Sequence, residues 1–300
     1  MENILVKNKK ISIILPVYNG KNYIKKLLES LVELDYPKHD YEIIVVDNNS
    51  NDQTKEIVKN FSVRLLEEND IQSSYAARNK GIRKARYEIL AFIDADCIAS
   101  KEWLKEGIKP IANGEADLVG GKVKFYFSKE KTAAEIYDSI TNMQIEDNIR
   151  ERNVAKTANL FAKKEVFDKI GLFPNHVKSG GDVQWTAKAT LNGYKLRYSS
   201  EAVVFHPARK FWEILKKQYR VGKGLPLIWG NNKDSKNCKP FFIPIIRLIV
   251  PERISTIKNR IKAQGHKNML NRLFIVWIVG YICKLAMLFG VIYFYIARKK

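Results

Sequence analysis

The chain has 300 residues, 46% of them apolar and 11% aromatic, which is enough for a sizeable core and excludes a disordered segment. Its formal net charge is +20, but 20 of the 52 Lys/Arg and only three of the 32 acids lie from His206 onward. The first two thirds therefore read as an ordinary globular domain and the last third as a basic attachment, suited to an anionic membrane surface.

In chain order, Ile11–Leu15 is predicted to be a strand with Pro16-Val-Tyr-Asn-Gly20 as its exit turn. Tyr23, Leu27, Leu31 and Leu34 recur at helical spacing, and Pro37 closes that unit. Glu42–Val46 is a second strand ending at Asp47-Asn-Asn-Ser50, followed by a short helix carrying Ile57 and Val58. Val63–Leu66 is a third strand, and a helix runs from about Ser73 to Ala85. Ile89-Leu-Ala-Phe-Ile93 is a short apolar run without polar alternation, as in the centre of a parallel sheet, and it ends in Asp94-Ala-Asp96. The alternation of strand and helix predicts an α/β domain with a mainly parallel sheet flanked by helices.

Two carboxylates at the C-terminal end of such a strand lie where open α/β sheets place their ligands, and both can reach one bound group. Hard cations such as Mg²⁺ or Mn²⁺ prefer carboxylate oxygens and share their shell with phosphates, so the pair suggests a metal-diphosphate site. At the ends of the first two strands, Tyr18 offers a ring to stack on a base and Asp47 an acceptor for a base N–H; their structural alternatives are a core-edge aromatic and a turn cap. Arg78 can pair with Asp47 or with a diphosphate, or lie on a solvated helix face.

Leu15-Pro-Val-Tyr-Asn19, Val45-Val-Asp-Asn-Asn-Ser50, Ala77-Arg-Asn-Lys-Gly81 and Asp94-Ala-Asp96 stand in the order and spacing of family 2 glycosyltransferases with the GT-A fold, which the chain resembles from Ile11 to about Pro207. The resemblance implies an inverting transfer of a sugar from a nucleotide-diphosphate donor, UDP-linked by preference, to an acceptor hydroxyl. Pro16, Tyr18, Asp47, Arg78 and Asp94 would then bind the nucleotide sugar, and Asp96 the metal. The aspartate that matches Asp47 serves uracil in the family. Thr157-Ala-Asn-Leu-Phe-Ala162 matches the acceptor-side strand.

Ser179-Gly-Gly-Asp-Val-Gln-Trp185 falls where the family carries its catalytic acids, usually Glu-Asp or Asp-Asp. Here the pair is Gly181-Asp182, so Asp182 alone is the expected general base; as an acid in a first helical turn it also offsets the helix dipole. The missing first acid leaves a non-catalytic nucleotide-sugar-binding subunit as the rival reading. His206, after the apolar run Val203-Val-Phe205, stands where many members place a histidine on the metal. Gln218-Tyr-Arg-Val departs from the Gln-x-x-Arg-Trp of processive members, which argues for single-sugar transfer.

Between these landmarks, Asp117–Phe127 is expected as a long strand, Lys131 to about Arg150 as a helix, and Lys164–Ile170 as a helix stopped by Gly171. The catalytic domain is drawn at 1–230, with a polar linker over 231–239 and a basic, apolar membrane-attachment region over 240–300. Within the last, 273–297 is long enough to cross a bilayer, although Lys284 would cost about 3 kcal/mol at the centre. That stretch is read as a transmembrane helix, a single span being preferred for its length, while a re-entrant hairpin and a flat interfacial helix remain open. The three isolated cysteines and the charged N-terminal residues suit a cytoplasmic catalytic domain at the membrane face. Membrane lipids and a glycan or lipid-linked acceptor are the expected partners. No nucleic-acid motif is present.

Overall fold

Ile89–Ile93 forms a strand, β4, buried at all five positions. A computed structural model describes residues 9–230, 246–265 and 267–297. On one side of β4 lies β1 (Ile11–Val17), also buried throughout, then β2 (Tyr41–Asp47) and β3 (Arg64–Glu67), each parallel to its neighbour. On the other side β7 (Asn159–Lys163) runs antiparallel to β4, followed by β6 (Leu118–Tyr126), β8 (Leu196–Pro207) and the two-residue β5 (Ile98–Ala99). The order is β3-β2-β1-β4-β7-β6-β8-β5. The sheet is thus mixed but mainly parallel, as the sequence suggested: β7 runs against β4 and β6 against β7, so β6 points the same way as β1 to β4 again, and the short β5 runs against β8.

The helices that place the site sit in the parallel half. In α1 (Ile24–Val32), Ile24, Leu27, Leu28 and Leu31 are buried on one face. After α2 (Thr54–Lys59), Ser73 caps α3 (Ser74–Lys84) by accepting from the Tyr75 N–H. Gly81 lets α3 lie close on β1, since a Cβ there would meet the Ile14 side chain at 2.5 Å. Trp103, at the start of α4 (Trp103–Ala112), is fully buried and donates to Asn159 Oδ1 at 2.9 Å. Asn159 Nδ2 in turn donates to the carbonyls of Lys122 and Ala202, so one amide ties β7 to β6 and β8.

The single helix expected over Lys131–Arg150 is two: α5 (Ala133–Thr141) and α6 (Ile145–Arg152). The break holds Met143 at φ 54, and Gln144 caps the end of α5 by donating to the carbonyls of Ser139 and Asn142. α7 (Lys164–Ile170) stops at Gly171, whose φ of 90 few other residues adopt readily. α8 (Gly181–Leu191) begins at Gly181, directly after Gly180 at φ 79.

The chain divides into two compact units. The first holds residues 1–124, 145–177 and 181–206, and the second 125–144, 178–180 and 207–300. The boundary expected at residue 230 therefore differs: 125–144 and 207–230 group with the C-terminal part. The second unit is helical, with α5, α9 (Phe211–Gly230), α10 (Ile246–Ile249), α11 (Ile254–Ala263) and α12 (Leu273–Ala297). Its core joins Ile136, Tyr137 and Ile140 to Ile214, Ile257, Ile261, Val276 and Val279. The stretch Met269–Ala297 is apolar and long enough to cross a membrane. The polar linker expected over 231–239, and the first residues after it, lie outside the described residues.

Candidate active site

The C-terminal ends of β1, β2 and β4 carry the expected side chains. Pro16 is buried inside β1, opposite Val46. Tyr18, just past the strand, is half exposed, with its ring free to stack on a base. Asp47 ends β2 and is fully buried. Its Oδ2 accepts from the Ser50 N–H at 3.0 Å, while its buried Oδ1 has no partner. A buried carboxylate oxygen is costly to leave unpaired, so this one fits an incoming N–H. The loops after β1 and β2 are laced together: the Asn19 N–H donates to Ser50 Oγ, the Gly20 N–H to Thr54 Oγ1, and the Asn51 N–H to Asn19 Oδ1.

Arg78 lies on α3 and is buried. It pairs with Asp94, at 2.5 Å, rather than with Asp47. Asp94 is thereby held by a guanidinium at the end of β4. Two residues on, Asp96 lies 3.4 Å from His206 Nε2, and His206 is fully buried. β5 makes that meeting possible. Ile98 pairs with Phe205 and Ala99 with Val204, so the turn after β4 is sewn to the end of β8. Cys97 joins the cluster, with ligand atoms of Asp96, Cys97 and His206 all within 4.8 Å of one another. A carboxylate oxygen and an imidazole nitrogen converging on one point suit Mn²⁺ better than Mg²⁺. Asp96 and His206 are the residues that would hold such an ion.

Asp182, in the first turn of α8, is gripped from three elements. Its Oδ1 accepts from the Tyr75 hydroxyl and the Val183 N–H, both at 3.0 Å. Its Oδ2 accepts from the Thr157 N–H at 3.0 Å and the Thr157 hydroxyl at 3.3 Å. Tyr75 also packs against Gly181, where a Cβ would stand 3.0 Å from the ring. The place where the sequence lacks the expected acid is therefore filled by a phenol that donates to the remaining one. Burial first, and the Asp182 charge second, push the Tyr75 phenol well above its ordinary range, so it stays a donor.

Sequence reasoning did not single out Tyr75, Thr157, Tyr23 or Asn79. Asn79 exchanges two hydrogen bonds with the Phe173 backbone, at 2.8 and 3.0 Å, and so fixes the loop that leads to α8. The Tyr23 hydroxyl donates to the Tyr18 and Asn19 carbonyls. Burial, then the charges of Asp96, Asp52 and Asp94, push Tyr23 up to about 12. Tyr23 fell at an apolar helical position, which hid its polar end. Asn79 was visible only as part of the Ala77–Gly81 motif.

Residues 12–171 match the family described as "Glycosyl transferase family 2". The chain belongs to that family. It is similar to the glycosyltransferase AglE of Haloferax volcanii, 49% identical over 224 residues that cover 73% of this chain and 74% of that one. The poly(ribitol-phosphate) beta-N-acetylglucosaminyltransferase TarS of Staphylococcus aureus is 28% identical over 222 residues, 70% of this chain but only 37% of TarS. Among solved structures, the mannosyltransferase PcManGT of Pyrobaculum calidifontis, in complex with GDP-Man and Mn²⁺, superposes with a TM-score of 0.68 at 19% identity. That match covers 95% of this chain and 87% of PcManGT. TarS 1–349 in complex with UDP-GlcNAc gives 0.55 at 21% identity, over 95% of this chain and 91% of that one. These likenesses establish the GT-A fold for this glycosyltransferase.

Proposed function

We propose that this glycosyltransferase moves one sugar from a nucleoside-diphosphate donor, UDP-linked by preference, to an acceptor hydroxyl with inversion, working at a membrane in the synthesis of cell-surface glycans or glycolipids. The observation that supports the reading is that Asp47, Asp94 and Asp96 follow or end strands β2 and β4 on one side of the sheet, while Arg78 and Tyr75 of α3 link Asp94 to the candidate general base Asp182. Asp47 presents an unpaired buried acceptor to the base, Tyr18 offers its ring, and Arg78 holds Asp94 toward the ribose or diphosphate. A divalent cation held by Asp96 and His206 would offset the charge that develops on the leaving diphosphate. Asp182 takes the proton of the attacking hydroxyl. For that, one of its four internal donors must give way to the acceptor.

The UDP-GlcNAc and GDP-Man complexes of the structural neighbours support the donor class, and the Mn²⁺ of PcManGT supports a metal. A protein of Methanococcus voltae, 26% identical over 239 residues, is named dolichyl N-acetyl-alpha-D-glucosaminyl phosphate 3-beta-D-2,3-diacetamido-2,3-dideoxy-beta-D-glucuronosyltransferase, which supports a lipid-linked acceptor here. The apolar Met269–Ala297 segment supports attachment to the membrane; the catalytic part is proposed to work on the cytoplasmic face. The test is a thermal-shift screen of UDP, GDP, ADP and CMP with and without Mn²⁺. Stabilisation by UDP that grows with Mn²⁺ is expected. No stabilisation by any nucleotide would refute the donor reading.

A further inference from the structure

α12 has two faces of different chemistry. The inner face is made of slim residues: Val276, Val279, Gly280, Cys283, Gly290 and Val291 are buried. It packs on α5, α9, α10 and α11 over most of its length. The contact with α9 is close, since a Cβ on Gly222 would lie 2.0 Å from the Met287 carbonyl and one on Gly290 2.2 Å from the Tyr219 carbonyl. Two polar tethers add to it. Trp277 Nε1 donates to the Glu252 carbonyl at 2.6 Å, and Lys284 Nζ to the Val250 carbonyl at 2.8 Å. The outer face is large and apolar. Phe274, Ile278, Phe289, Ile292 and Ile296 recur along it and are 37–63% exposed.

This packing decides between the orientations that length alone allows. The helices under α12 are not apolar. Asp138 of α5 is fully buried and lies 3.5 Å from Arg209 and 3.8 Å from Lys217 of α9. Lys216 and Arg220 of α9 are exposed. If α12 crossed a bilayer in this packing, that ion cluster would be carried toward the hydrocarbon centre, where charges are expensive. Laid flat, α12 buries its outer stripe in the acyl boundary and leaves the charged helices on the water side.

We propose that α12 is a monotopic, in-plane helix that docks this glycosyltransferase on one leaflet of an anionic bilayer without crossing it. The inference rests on the membrane attachment proposed above and specifies its geometry. Charge names the occupant. Arg247, Arg253, Lys258 and Lys262 are exposed on the neighbouring helices and the turn between them, and complement anionic headgroups. A second copy would bring two strongly basic surfaces together. Tyr293 and Tyr295, half exposed near the end of α12, suit the headgroup boundary.

The experiment uses the full chain with Cys238→Ser and a single label at Phe274→Cys, Ile278→Cys, Phe289→Cys or Ile296→Cys; Cys97 and Cys283 are buried and stay unlabelled. Label depth is read by lipid-borne quenchers in phosphatidylglycerol–phosphatidylcholine vesicles. In-plane docking predicts one shallow depth for all four labels, about 5–10 Å below the headgroups. A span predicts a gradient, because the outermost labels are roughly 33 Å apart along a helix rising about 1.5 Å per residue. That gradient would overturn the proposal. The double variant Phe289→Glu/Ile292→Glu should partition into the vesicles about tenfold or more weakly, with an unchanged melting temperature. Failure to bind any vesicle, with dimers seen by sedimentation, would overturn it in favour of a second copy. UDP binding measured on the same preparations keeps the two readings apart. Donor binding without docking refutes only the membrane geometry, and docking without donor binding refutes only the donor.

Discussion

Tyr75→Phe isolates one hydroxyl. The substitution keeps the ring and with it the packing on Gly181, on Phe173 with ring centroids 6.0 Å apart, and under the Arg78 guanidinium at 5.7 Å. It removes only the 3.0 Å hydrogen bond to Asp182 Oδ1. A hydrogen bond to a charged group is worth about 1.5–3 kcal/mol. If it serves to orient the carboxylate, that energy is lost from the transition state, and kcat should fall by on the order of 10- to 100-fold. Donor affinity should stay the same, because Asp47, Asp94 and Asp96 are untouched. Single-turnover transfer and UDP titration of the same protein measure the two separately. An unchanged kcat together with a lowered melting temperature would refute the argument. Tyr75 would then be a stabilising contact, and Thr157 and the Val183 N–H would hold the base.

Asp96→Ala should abolish the Mn²⁺-dependent part of UDP binding while circular dichroism stays native; an unchanged affinity in Mn²⁺ removes Asp96 from the metal site. Asp182→Asn should lose transfer by on the order of 10²-fold or more at unchanged donor affinity, the scale of a missing general base. It should also lower the melting temperature, because one amide oxygen cannot serve the donors that two carboxylate oxygens serve now. Near-normal turnover would leave Asp182 a structural anchor. Burial works against ionised Glu42, but the Arg86 N–H, Arg64 and Ser12 all donate to it and together hold its pKa below the ordinary value. A depressed carboxylate contributes stability that is present above its unfolded pKa, near 4.5, and is lost as pH falls through the folded one. Glu42→Gln should therefore flatten the stability curve below about pH 4.5. An unchanged acid limb in urea melts counts against it.

Much of the donor half was legible in the sequence because its signals are local. An apolar run that stops at a carboxylate marks both the strand and its C-terminal end, as with Ile89–Asp94 and Glu42–Asp47. The parallel half of the sheet follows from alternation within short windows. The reversal at β7 and the placing of β6, β8 and β5 do not, because these strands pair across long separations that no local period encodes. The grip on Asp182 was hidden for the same reason. Tyr75 and Thr157 reach it from α3 and from the turn before β7, and each looks unremarkable in its own window. Of the partners open to Arg78 from the sequence, Asp47 is not the one the structure shows: the guanidinium pairs with Asp94, a contact no local window signals.

β5 is two residues long and closes the edge of the sheet, yet it helps to pin the turn of Asp96 to the strand of His206. So short an edge pairing opens at little free-energy cost, well below global unfolding. A cation bridging Asp96 and His206 would bind only the closed form and so would add its binding free energy to that local equilibrium. Amide exchange at Ile98, Ala99 and Ser100 should then slow in proportion to Mn²⁺ concentration while the amides of β1 and β4 stay as they were. A weakly stable strand edge would thus serve as the latch whose closing is linked to loading of the metal.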